Sequence, residues 1–334
     1  MNALEKKISK KKKSCVPIWF MRQAGRHLPE FRKIRFKNPN FIKLCLNSNL
    51  SSKITLQPIK RYDLDFAIIF SDILMVPYAL GQNVSFIKKK GPVLDDFDLK
   101  KFLNNDEQSF YKKLKPVYKA ITKTKKKLNK KKKLISFVGA PWTLLIYMMG
   151  LKKNGIIKTS KLKELKDIKL ILDKLNKYLC LHIKNQVKAG ADIVQIFDSW
   201  AGLVPSKNLK KFCYEPNSKL VKFCKSKKIP VICFPKGINK KYKDFNLAVK
   251  PDGLSLDYKI NPKWAKLNLT NVVLQGGINP QILFKSEKKI YEETKKYLDI
   301  FKNVPYIFNL GHGLNPKTSI NKLKKLIKFV KNYE

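Results

Sequence analysis

The sequence predicts an α/β protein built as a single (β/α)8 TIM barrel. Eight short apolar runs, rich in branched and aromatic residues, alternate with amphipathic helical patterns. Most of the runs are continuously apolar, which is typical of parallel strands buried on both faces. Polar residues and glycines follow each run, and barrel enzymes place their active sites at these carboxyl ends of the strands. We therefore expect the active site at that end of the barrel.

The predicted elements follow one another along the chain. The strands are expected at Ile18–Met21, Ala67–Phe70, Leu134–Val138, Ile193–Phe197, Val231–Phe234, Gly253–Leu256, Val272–Leu274 and Tyr306–Asn309. Long amphipathic helices are expected over Glu107–Lys127, Ser160–Ala189, Asn208–Lys227, Gln281–Phe301 and Lys317–Val330. The connections Lys236–Lys250 and Tyr258–Asn271 leave room only for short helices. A doubly wound open sheet is the alternative, but no GxGxxG sequence follows a strand.

The length of 334 residues and the apolar content of 44% suit one large domain. Residues 1–14 carry a lysine run without an apolar region, so we predict a disordered tail there and no secretory signal. No change of composition divides residues 15–334, which we predict to form one domain. No run of 18 apolar residues is present, so no membrane span is expected.

The six cysteines show no CxxC pair and no close histidine–cysteine spacing. Together with the lack of a secretion signal, this pattern predicts free thiols in a reducing, cytoplasmic setting, and no zinc site.

The formal charge of +48 would ordinarily indicate a nucleic-acid partner. The lysines, however, are spread through nearly every amphipathic segment and do not mark one face. We attribute most of them to compositional drift and predict no nucleic-acid binding. A secondary hypothesis is that the positive field speeds the capture of a polyanionic substrate.

The stretch Pro17–Arg35 holds four of the chain's five arginines, and the fifth is Arg61. A planar guanidinium binds a carboxylate or phosphate through two parallel hydrogen bonds, which the ammonium group of lysine does not do. A solvated basic turn is the alternative interpretation. Because these arginines alternate with apolar residues after a strand-like run, we predict an anion-binding site.

Several polar residues at the predicted strand ends have two interpretations each. Asp72, between apolar neighbours, is either a helix N-cap or an acceptor for N–H groups that also stabilises developing positive charge. His312, between two glycines, is either a structural hydrogen-bonding residue or a ligand contact. Tyr147 and Ser199 are either packed or capping residues, or donors to a substrate carboxylate. Phe197 belongs either to the core or to a pocket wall.

No nucleophile triad, P-loop or metal cluster is present, and we interpret His27 as a surface residue and His182 as a helix residue. The remaining arginines, aspartate and neutral donors suit a substrate with many carboxylates around a centre of N–H donors. They also suit chemistry in which the substrate is its own electron sink.

The segment IWFMRQAGRHLPEFR resembles the N-terminal signature of the uroporphyrinogen decarboxylase family, whose usual form is MRQAGRYLPEYR. Further matches follow in family order from about Pro17 to Pro316. They are TLQPIKRYDLDFAIIFSDILMVPYALG, FVGAPWTLLIYMMG, VQIFDSWAG, GLSLD, LQGGINP and FNLGHGLNP. The resemblance implies a single barrel, usually a homodimer, that works without metal or organic cofactor. It also implies decarboxylation of the four acetate side chains of uroporphyrinogen III to give coproporphyrinogen III in haem biosynthesis.

The resemblance assigns site residues one by one. It implies that Asp72, Arg22 and Arg26 are catalytic, with Asp72 hydrogen-bonding the pyrrole N–H groups and the arginines holding substrate carboxylates. The implied substrate contacts are Arg22, Gln23, Ala24, Gly25, Arg26, Arg35, Ile68, Phe70, Asp72, Tyr147, Phe197, Ser199 and His312. Protonation of a pyrrole α-carbon would create a cation that Asp72 stabilises, with Arg22 or a water that it holds as the proton donor.

The chain departs from the family pattern at three places. His27 replaces a tyrosine, Ser136 replaces a glycine, and one residue is missing from the segment after Tyr147. We expect activity to survive these changes. The nearest rival is a cobamide-dependent methyltransferase of the same superfamily, but no histidine is followed two residues later by the cysteine that its zinc site needs.

Overall fold

The computed structural model describes residues 1–8, 16–87, 91–153, 156–157 and 167–333. Within these residues, seven parallel strands form one sheet in the order β1-β4-β7-β8-β9-β10-β11. The strands are β1 (Phe66–Ile68), β2 (Val84–Ile87), β3 (Gly91–Leu94), β4 (Lys133–Gly139), β5 (Lys152–Lys153), β6 (Ile156–Ile157), β7 (Ile193–Asp198), β8 (Val231–Pro235), β9 (Gly253–Leu256), β10 (Val273–Gly276) and β11 (Tyr306–Ile307).

Helices separate the strands of this sheet. The α-helices are Ala3–Ile8, Pro29–Lys37, Phe41–Leu46, Ser48–Arg61, Met75–Ala79, Leu99–Leu103, Glu107–Lys127, Pro141–Met148, Ile168–Lys188, Glu215–Ser226, Tyr242–Val249, Pro262–Asn268, Glu287–Phe301 and Ile320–Lys331. The helix Glu107–Lys127 agrees with its predicted bounds, and the helices Tyr242–Val249 and Pro262–Asn268 are short, as expected. None of these helices combines the length and apolar character needed to cross a bilayer.

The helix predicted over Ser160–Ala189 is observed from Ile168 to Lys188, and residues 160–166 of the prediction lie outside the described residues. The helix predicted over Asn208–Lys227 begins instead with a π-helical turn, Lys210–Tyr214. Two antiparallel hairpins, β2–β3 and β5–β6, were not predicted, because their short strands lack a continuous apolar run.

Every strand of the parallel sheet except β9 contributes to an inner apolar cluster. Its buried members are Leu4, Trp19, Met21, Phe66, Ile68, Ile135, Ile193, Ile232, Phe234, Val273 and Ile307. A second, larger cluster holds most of the helices against the outside of the sheet. Burial on both faces explains why the strands are continuously apolar in the sequence.

The prediction of a regular strand over Ile18–Met21 is wrong. Ile18 forms an isolated parallel bridge with Phe308, and its carbonyl accepts a hydrogen bond from the Asp65 N–H at 2.9 Å. Side-chain oxygens satisfy three backbone N–H groups that a strand ladder would otherwise use. The pairs are Ile18 with Asp65 at 2.8 Å, Phe20 with Gln23 at 2.9 Å, and Met21 with Asn309 at 3.2 Å.

The prediction of disorder over residues 1–14 is wrong for residues 3–8, which form a helix. Leu4 is fully buried in the inner cluster, and the Asn2 side chain donates to the Asp252 carbonyl at 2.9 Å. The lysine run concealed this single buried leucine. Residues 9–14 of the predicted tail lie outside the described residues, and so does Cys15; the other cysteines are free thiols, as predicted.

The prediction of a surface position for His27 is also wrong, because its side chain is 3% exposed and stacks on Tyr62 with ring centroids 6.2 Å apart. His182 lies in a helix, as predicted, and its Nδ1 is 2.9 Å from the Tyr118 hydroxyl. Ser136, the second departure from the family signature, is fully buried in β4.

Candidate active site

The parallel strands bring most of the predicted site residues to one edge of the sheet. Asp72, Tyr147, Ser199 and His312 follow β1, β4, β7 and β11 in turn. Because neighbouring parallel strands point the same way, their carboxyl ends share this edge. Arg22 follows the bridge at Ile18, which lies between β11 and β1 in the hydrogen-bonding pattern. Residues from separate parts of the sequence therefore converge here.

Asp72 is a half-buried carboxylate just before the helix Met75–Ala79. Its Oδ1 accepts the Leu74 N–H at 2.9 Å in a local turn, but the N-cap of this helix is Leu74, so the interpretation of Asp72 as the N-cap is wrong. Its other oxygen has no hydrogen bond to a described residue. Burial raises the pKa of Asp72 to about 6, against the lowering effects of the Leu74 hydrogen bond and the Arg22 charge. The carboxyl group is thus ionisable, and one of its oxygens is available to accept a further hydrogen bond.

Arg22 has a φ of 63°, in the left-handed region that a residue with a side chain seldom adopts. Its side chain is exposed and runs past Gly313, where a Cβ would lie 2.5 Å from Arg22 Cδ. The positive charge of Arg22 acts on the pKa values of Asp72, Tyr147 and His312. One guanidinium is therefore electrostatically coupled to three predicted site residues.

Tyr147 is half-buried, and its ring centroid lies 5.9 Å from that of Trp200. Burial raises the pKa of Tyr147, and the negative charge of Asp72 raises it further. The phenol therefore keeps its proton at neutral pH and can donate a hydrogen bond.

His312 is a neutral donor. Its Nδ1 accepts the Gly313 N–H at 2.8 Å, which assigns the ring proton to Nε2. Burial lowers the pKa of His312 to about 4, and the nearby charges of Lys236 and Arg22 act in the same direction. The imidazole thus offers a neutral N–H and adds no positive charge near neutral pH.

Aromatic and aliphatic side chains flank these polar groups. Phe197, half-buried at the end of β7, lies 5.6 Å from Phe137 and 6.4 Å from Phe234 between ring centroids. Ile68 and Phe70 are each 7% exposed. Ile68 belongs to the inner cluster, so the predicted walls are continuous with the core.

The loop after Arg22 is held by Gln23, whose side chain is fully buried. The Gln23 amide donates to the Phe66 carbonyl and accepts the Phe20 N–H, both at 2.9 Å. The predicted substrate contact at Gln23 is thus placed beneath the surface, where it supports the loop. Ala24 is half-buried, and a Cβ at Gly25 would lie 2.7 Å from the Arg22 carbonyl oxygen, so the turn needs glycine at residue 25.

The other four arginines differ in their surroundings: two are exposed and two bond other residues of the protein. Arg26 and Arg32 are exposed, whereas Arg35 is half-buried with Nη1 donating to the Asn38 carbonyl at 2.7 Å. Arg35 also lies over the Phe41 ring, 5.7 Å from its centroid. Arg61 makes a forked ion pair with Glu30 through two bonds of 2.9 Å. That pair illustrates why this lysine-rich chain keeps an arginine there.

Asp198 and Lys236 end two of the predicted strands, but no role in the site was predicted for them or for Trp200. Lys236 follows β8 and lowers the pKa of His312, and Trp200 contacts Tyr147. Asp198 is a fully buried carboxylate at the end of β7. Their position at or just after the ends of strands is the signal in the sequence that could have identified them.

A cavity of about 1260 Å³ lies at the opposite, amino-terminal edge of the strands. It is lined by Lys6, Lys7, Asp65, Lys133, Lys225 and Asp252 among others, and none of the predicted site residues borders it. Across the described ranges, no group of three histidine, cysteine, aspartate or glutamate side chains is arranged to hold a metal. The arginine–aspartate edge is therefore the better candidate.

Comparisons with known proteins agree on the family. The family model described as uroporphyrinogen decarboxylase (URO-D) matches residues 1–333. The uroporphyrinogen decarboxylase of Orientia tsutsugamushi (strain Ikeda) is 42% identical over 332 residues, covering 96% of this chain and 95% of that protein. That of Rickettsia bellii (strain RML369-C) is 41% identical over 323 residues, covering 95% of each chain.

Solved structures show a likeness in fold alone. A methyltransferase from Methanosarcina mazei has a TM-score of 0.76 at 18% identity, covering 98% of this chain and 97% of that one. A putative vitamin-B12-independent methionine synthase from Listeria monocytogenes has a TM-score of 0.56 at 12% identity, covering 95% of each. The parallel sheet and the family together fit a TIM-barrel-like fold. On the full-length family match and the identity to its members, the chain belongs to the uroporphyrinogen decarboxylase family.

Proposed function

We propose that this chain removes the carboxyl groups of the four acetate side chains of uroporphyrinogen III, giving coproporphyrinogen III and four molecules of CO2. Family membership supports this carboxy-lyase activity in haem biosynthesis. The single structural observation that carries it is the convergence of Asp72, Tyr147 and His312 at one sheet edge, where the Arg22 side chain runs past Gly313. This set matches a substrate with peripheral carboxylates and central N–H groups.

The substrate supplies its own electron sink in this reaction. A proton adds to a pyrrole α-carbon, and the ring becomes an iminium-like cation. The bond between the acetate methylene and its carboxylate then breaks, CO2 leaves, and the released pair neutralises the cation as an exocyclic methylene forms. Protonation of that methylene and loss of the ring proton give a methyl group. One proton is consumed for each CO2 released.

Asp72 is the central carboxylate of the proposed mechanism. Its available oxygen accepts pyrrole N–H groups, and its negative charge stabilises the ring cation. A preorganised charge in a water-poor pocket is worth about 3 kcal/mol of transition-state stabilisation. Because Asp72 faces the centre of the macrocycle, the same contact serves each of the four acetates after the substrate turns or rebinds.

Arg22 and Arg26 bind substrate carboxylates, and Arg22 or a water beside it serves the proton transfer. A free guanidinium is too basic to be an efficient acid, so Arg22 acts chiefly by polarising its neighbours. Arg35 is a further carboxylate contact. Tyr147, Ser199 and His312 donate to the remaining carboxylates, while Ile68, Phe70 and Phe197 form apolar walls beside Ala24 and Gly25. Lys236 adds a cation to this set, and Gln23 supports the loop.

The proposal extends to architecture and setting. We propose that the Ile18–Met21 segment takes the first of the eight strand positions of a (β/α)8 barrel, with the active site at the carboxyl ends of its strands. Residues 15–334 form one domain, and two chains form a cytoplasmic homodimer. The reaction needs no added metal or organic cofactor, and neither nucleic acid nor a membrane is a partner. Sedimentation velocity at micromolar concentration tests the dimer.

The activity is tested by anaerobic incubation of the purified chain with uroporphyrinogen III, followed by oxidation and chromatography. We expect heptacarboxylate to pentacarboxylate intermediates and a final tetracarboxylate porphyrin without added cofactor. Folded protein that releases none of these products overturns the proposed function.

A further inference from the structure

We propose that Asp198 is a positioning residue that joins the ends of three neighbouring strands and thereby holds Tyr147 and Ser199 for substrate. The inference rests on the proposed function, because those two residues are the donors that Asp198 would position. It concerns how the site is assembled, and Asp198 itself does not touch substrate in this proposal.

The Asp198 carboxylate is 1% exposed and accepts hydrogen bonds at both oxygens. Its Oδ1 accepts the Thr143 hydroxyl at 2.7 Å. Its Oδ2 accepts the Asn217 amide at 2.9 Å and the Cys213 thiol at 3.4 Å. Among the described residues, these donors are all uncharged. Burial raises the pKa of Asp198 to about 6, and the three hydrogen bonds lower it, so they favour the ionised carboxylate.

Thr143 relays this interaction to the loop after β7. The Thr143 hydroxyl donates to Asp198, and its oxygen also accepts the backbone N–H of Trp200 at 3.1 Å. Thr143 is fully buried one turn before Tyr147 in the helix Pro141–Met148, so a shift of this helix moves both residues. Trp200 contacts the Tyr147 ring, and Ser199 lies between Asp198 and Trp200 in the chain. One buried hydroxyl thus sets the spacing between two proposed substrate donors.

The same residue also fixes the end of β8 through the backbone. The Asp198 carbonyl accepts the Lys236 N–H at 3.1 Å, and the Lys236 carbonyl accepts the Gly202 N–H at 2.9 Å. A Cβ at Gly202 would lie 2.5 Å from the Gly237 oxygen, so the two loops are in backbone contact. Asp198 therefore connects the ends of β4, β7 and β8.

The helix beneath Asp198 is distorted where it supplies the other two donors. Cys213 lies in the π-helical turn Lys210–Tyr214, and Asn217 follows in the helix Glu215–Ser226. The Asn217 amide bonds both the Asp198 carboxylate and the Cys213 carbonyl, the latter at 2.8 Å. Such π turns are frequent beside functional sites. We call Asp198 with its donors Thr143, Cys213 and Asn217 the clamp. Apolar packing could replace a buried polar cluster that serves only stability, whereas the clamp fixes the direction of each donor.

The test uses Thr143→Val, which deletes the relay hydroxyl with little change of shape, and Thr143→Ser, which restores it. Thr124→Val is the matched control, since Thr124 is equally buried in a helix away from this edge. Among the described residues its hydroxyl bonds only the Ala120 carbonyl, at 2.8 Å. We expect T143V to raise KM and the Kd for uroporphyrin about tenfold, T143S to stay within about threefold of the parent, and T124V to change neither constant.

The double variant T143V/Y147F separates positioning from a general loss of structure. If the clamp acts through Tyr147, the double variant loses less than the product of the two single losses, and independent effects overturn the inference. If T143V does not fold, Cys213→Ala removes one donor only and is expected to raise KM about threefold; an unchanged KM rejects the clamp. An inactive parent chain refutes the proposed function, whereas an active parent with T143V equal to T124V refutes only the positioning role.

Discussion

The positive charge of Arg22 and the burial of Asp72 have opposite effects on the pKa of the Asp72 carboxyl. Burial raises this pKa to about 6, and the arginine charge lowers it. The two groups come from chain segments 50 residues apart that meet at one sheet edge. At neutral pH the carboxylate is ionised but poorly solvated. Such a charge is stabilised further when a cation forms beside it, which is the event that the proposed reaction requires.

Replacing Asp72 by asparagine is expected to abolish most turnover. The amide keeps the shape of the side chain but removes the charge that stabilises the ring cation, so kcat should fall roughly 100- to 1000-fold. Circular dichroism and the melting temperature check that the fold persists. Turnover within a few-fold of the parent would remove Asp72 from the mechanism.

The same variant should be more stable than the parent in a pH-dependent way. Because the folded-state pKa of Asp72 is raised to about 6 from 3.8, the group costs nothing when protonated in both states, below about pH 4. Between pH 4 and pH 6 the unfolded chain ionises first, and the parent loses stability. Urea unfolding should show D72N more stable by about 1–2 kcal/mol above pH 6 and equal to the parent below pH 4. A difference independent of pH would mean that the carboxyl is not perturbed.

Arginine geometry is tested at Arg26, with Arg32 of the same exposed segment as the control. Arg26→Lys keeps the charge but loses one of two parallel hydrogen bonds to a carboxylate, so KM should rise roughly 5- to 30-fold. Arg32→Lys should leave KM unchanged. Steady-state kinetics at fixed ionic strength measure both, and equal values for the two variants would exclude a forked contact at Arg26.

The neutral donor assigned to His312 is expected to tolerate glutamine better than leucine. Glutamine can place an amide N–H near the position of Nε2, whereas leucine leaves a substrate carboxylate without its donor. Leucine should lower kcat/KM roughly tenfold relative to glutamine. Because the pKa of His312 is about 4, the ratio of kcat/KM between the parent and His312→Gln should stay unchanged from pH 6 to pH 8. A difference that grows as pH falls would point to a charged imidazole.

Lys236 is expected to strengthen substrate binding through its charge. Lys236→Gln should raise KM roughly fivefold at low salt and less at high salt, because added ions screen the attraction. Lys240→Gln changes an exposed lysine of the next turn and is the charge-matched control. Equal effects from the two variants would assign them to net charge alone.

The sequence was sufficient for the strands whose apolar runs are buried on both faces, and for the polar residues that follow them. It failed where a single residue decided the outcome. Leu4 anchors a helix inside a charged terminus, and side-chain oxygens of Asp65 and Gln23 replace a strand ladder after Pro17. Neither contact has a periodic signal, because each joins residues through tertiary structure.

The site residues, too, could be predicted only in part from the sequence. Asp72 and Arg22 were identifiable because a carboxylate between apolar runs and a cluster of arginines are unusual. Gln23 belongs to the same sequence signature, but its side chain is fully buried and supports the loop. The sequence alone does not show this burial. Asp198 and Lys236 end predicted strands, but no role could be predicted for them because their partners, Thr143 and His312, lie far away in the sequence.

The hydrogen bond from Met21 to Asn309 has a consequence for how the protein is made. It joins residues 288 positions apart, beside the Ile18 bridge to Phe308. The arginine loop (residues 22–35) is therefore translated long before the residues that anchor it. A nascent chain that stops before residue 306 contains every arginine and still lacks these anchors. Contacts of such long range form slowly, so we expect this loop to be completed only after Phe308 and Asn309 have been made.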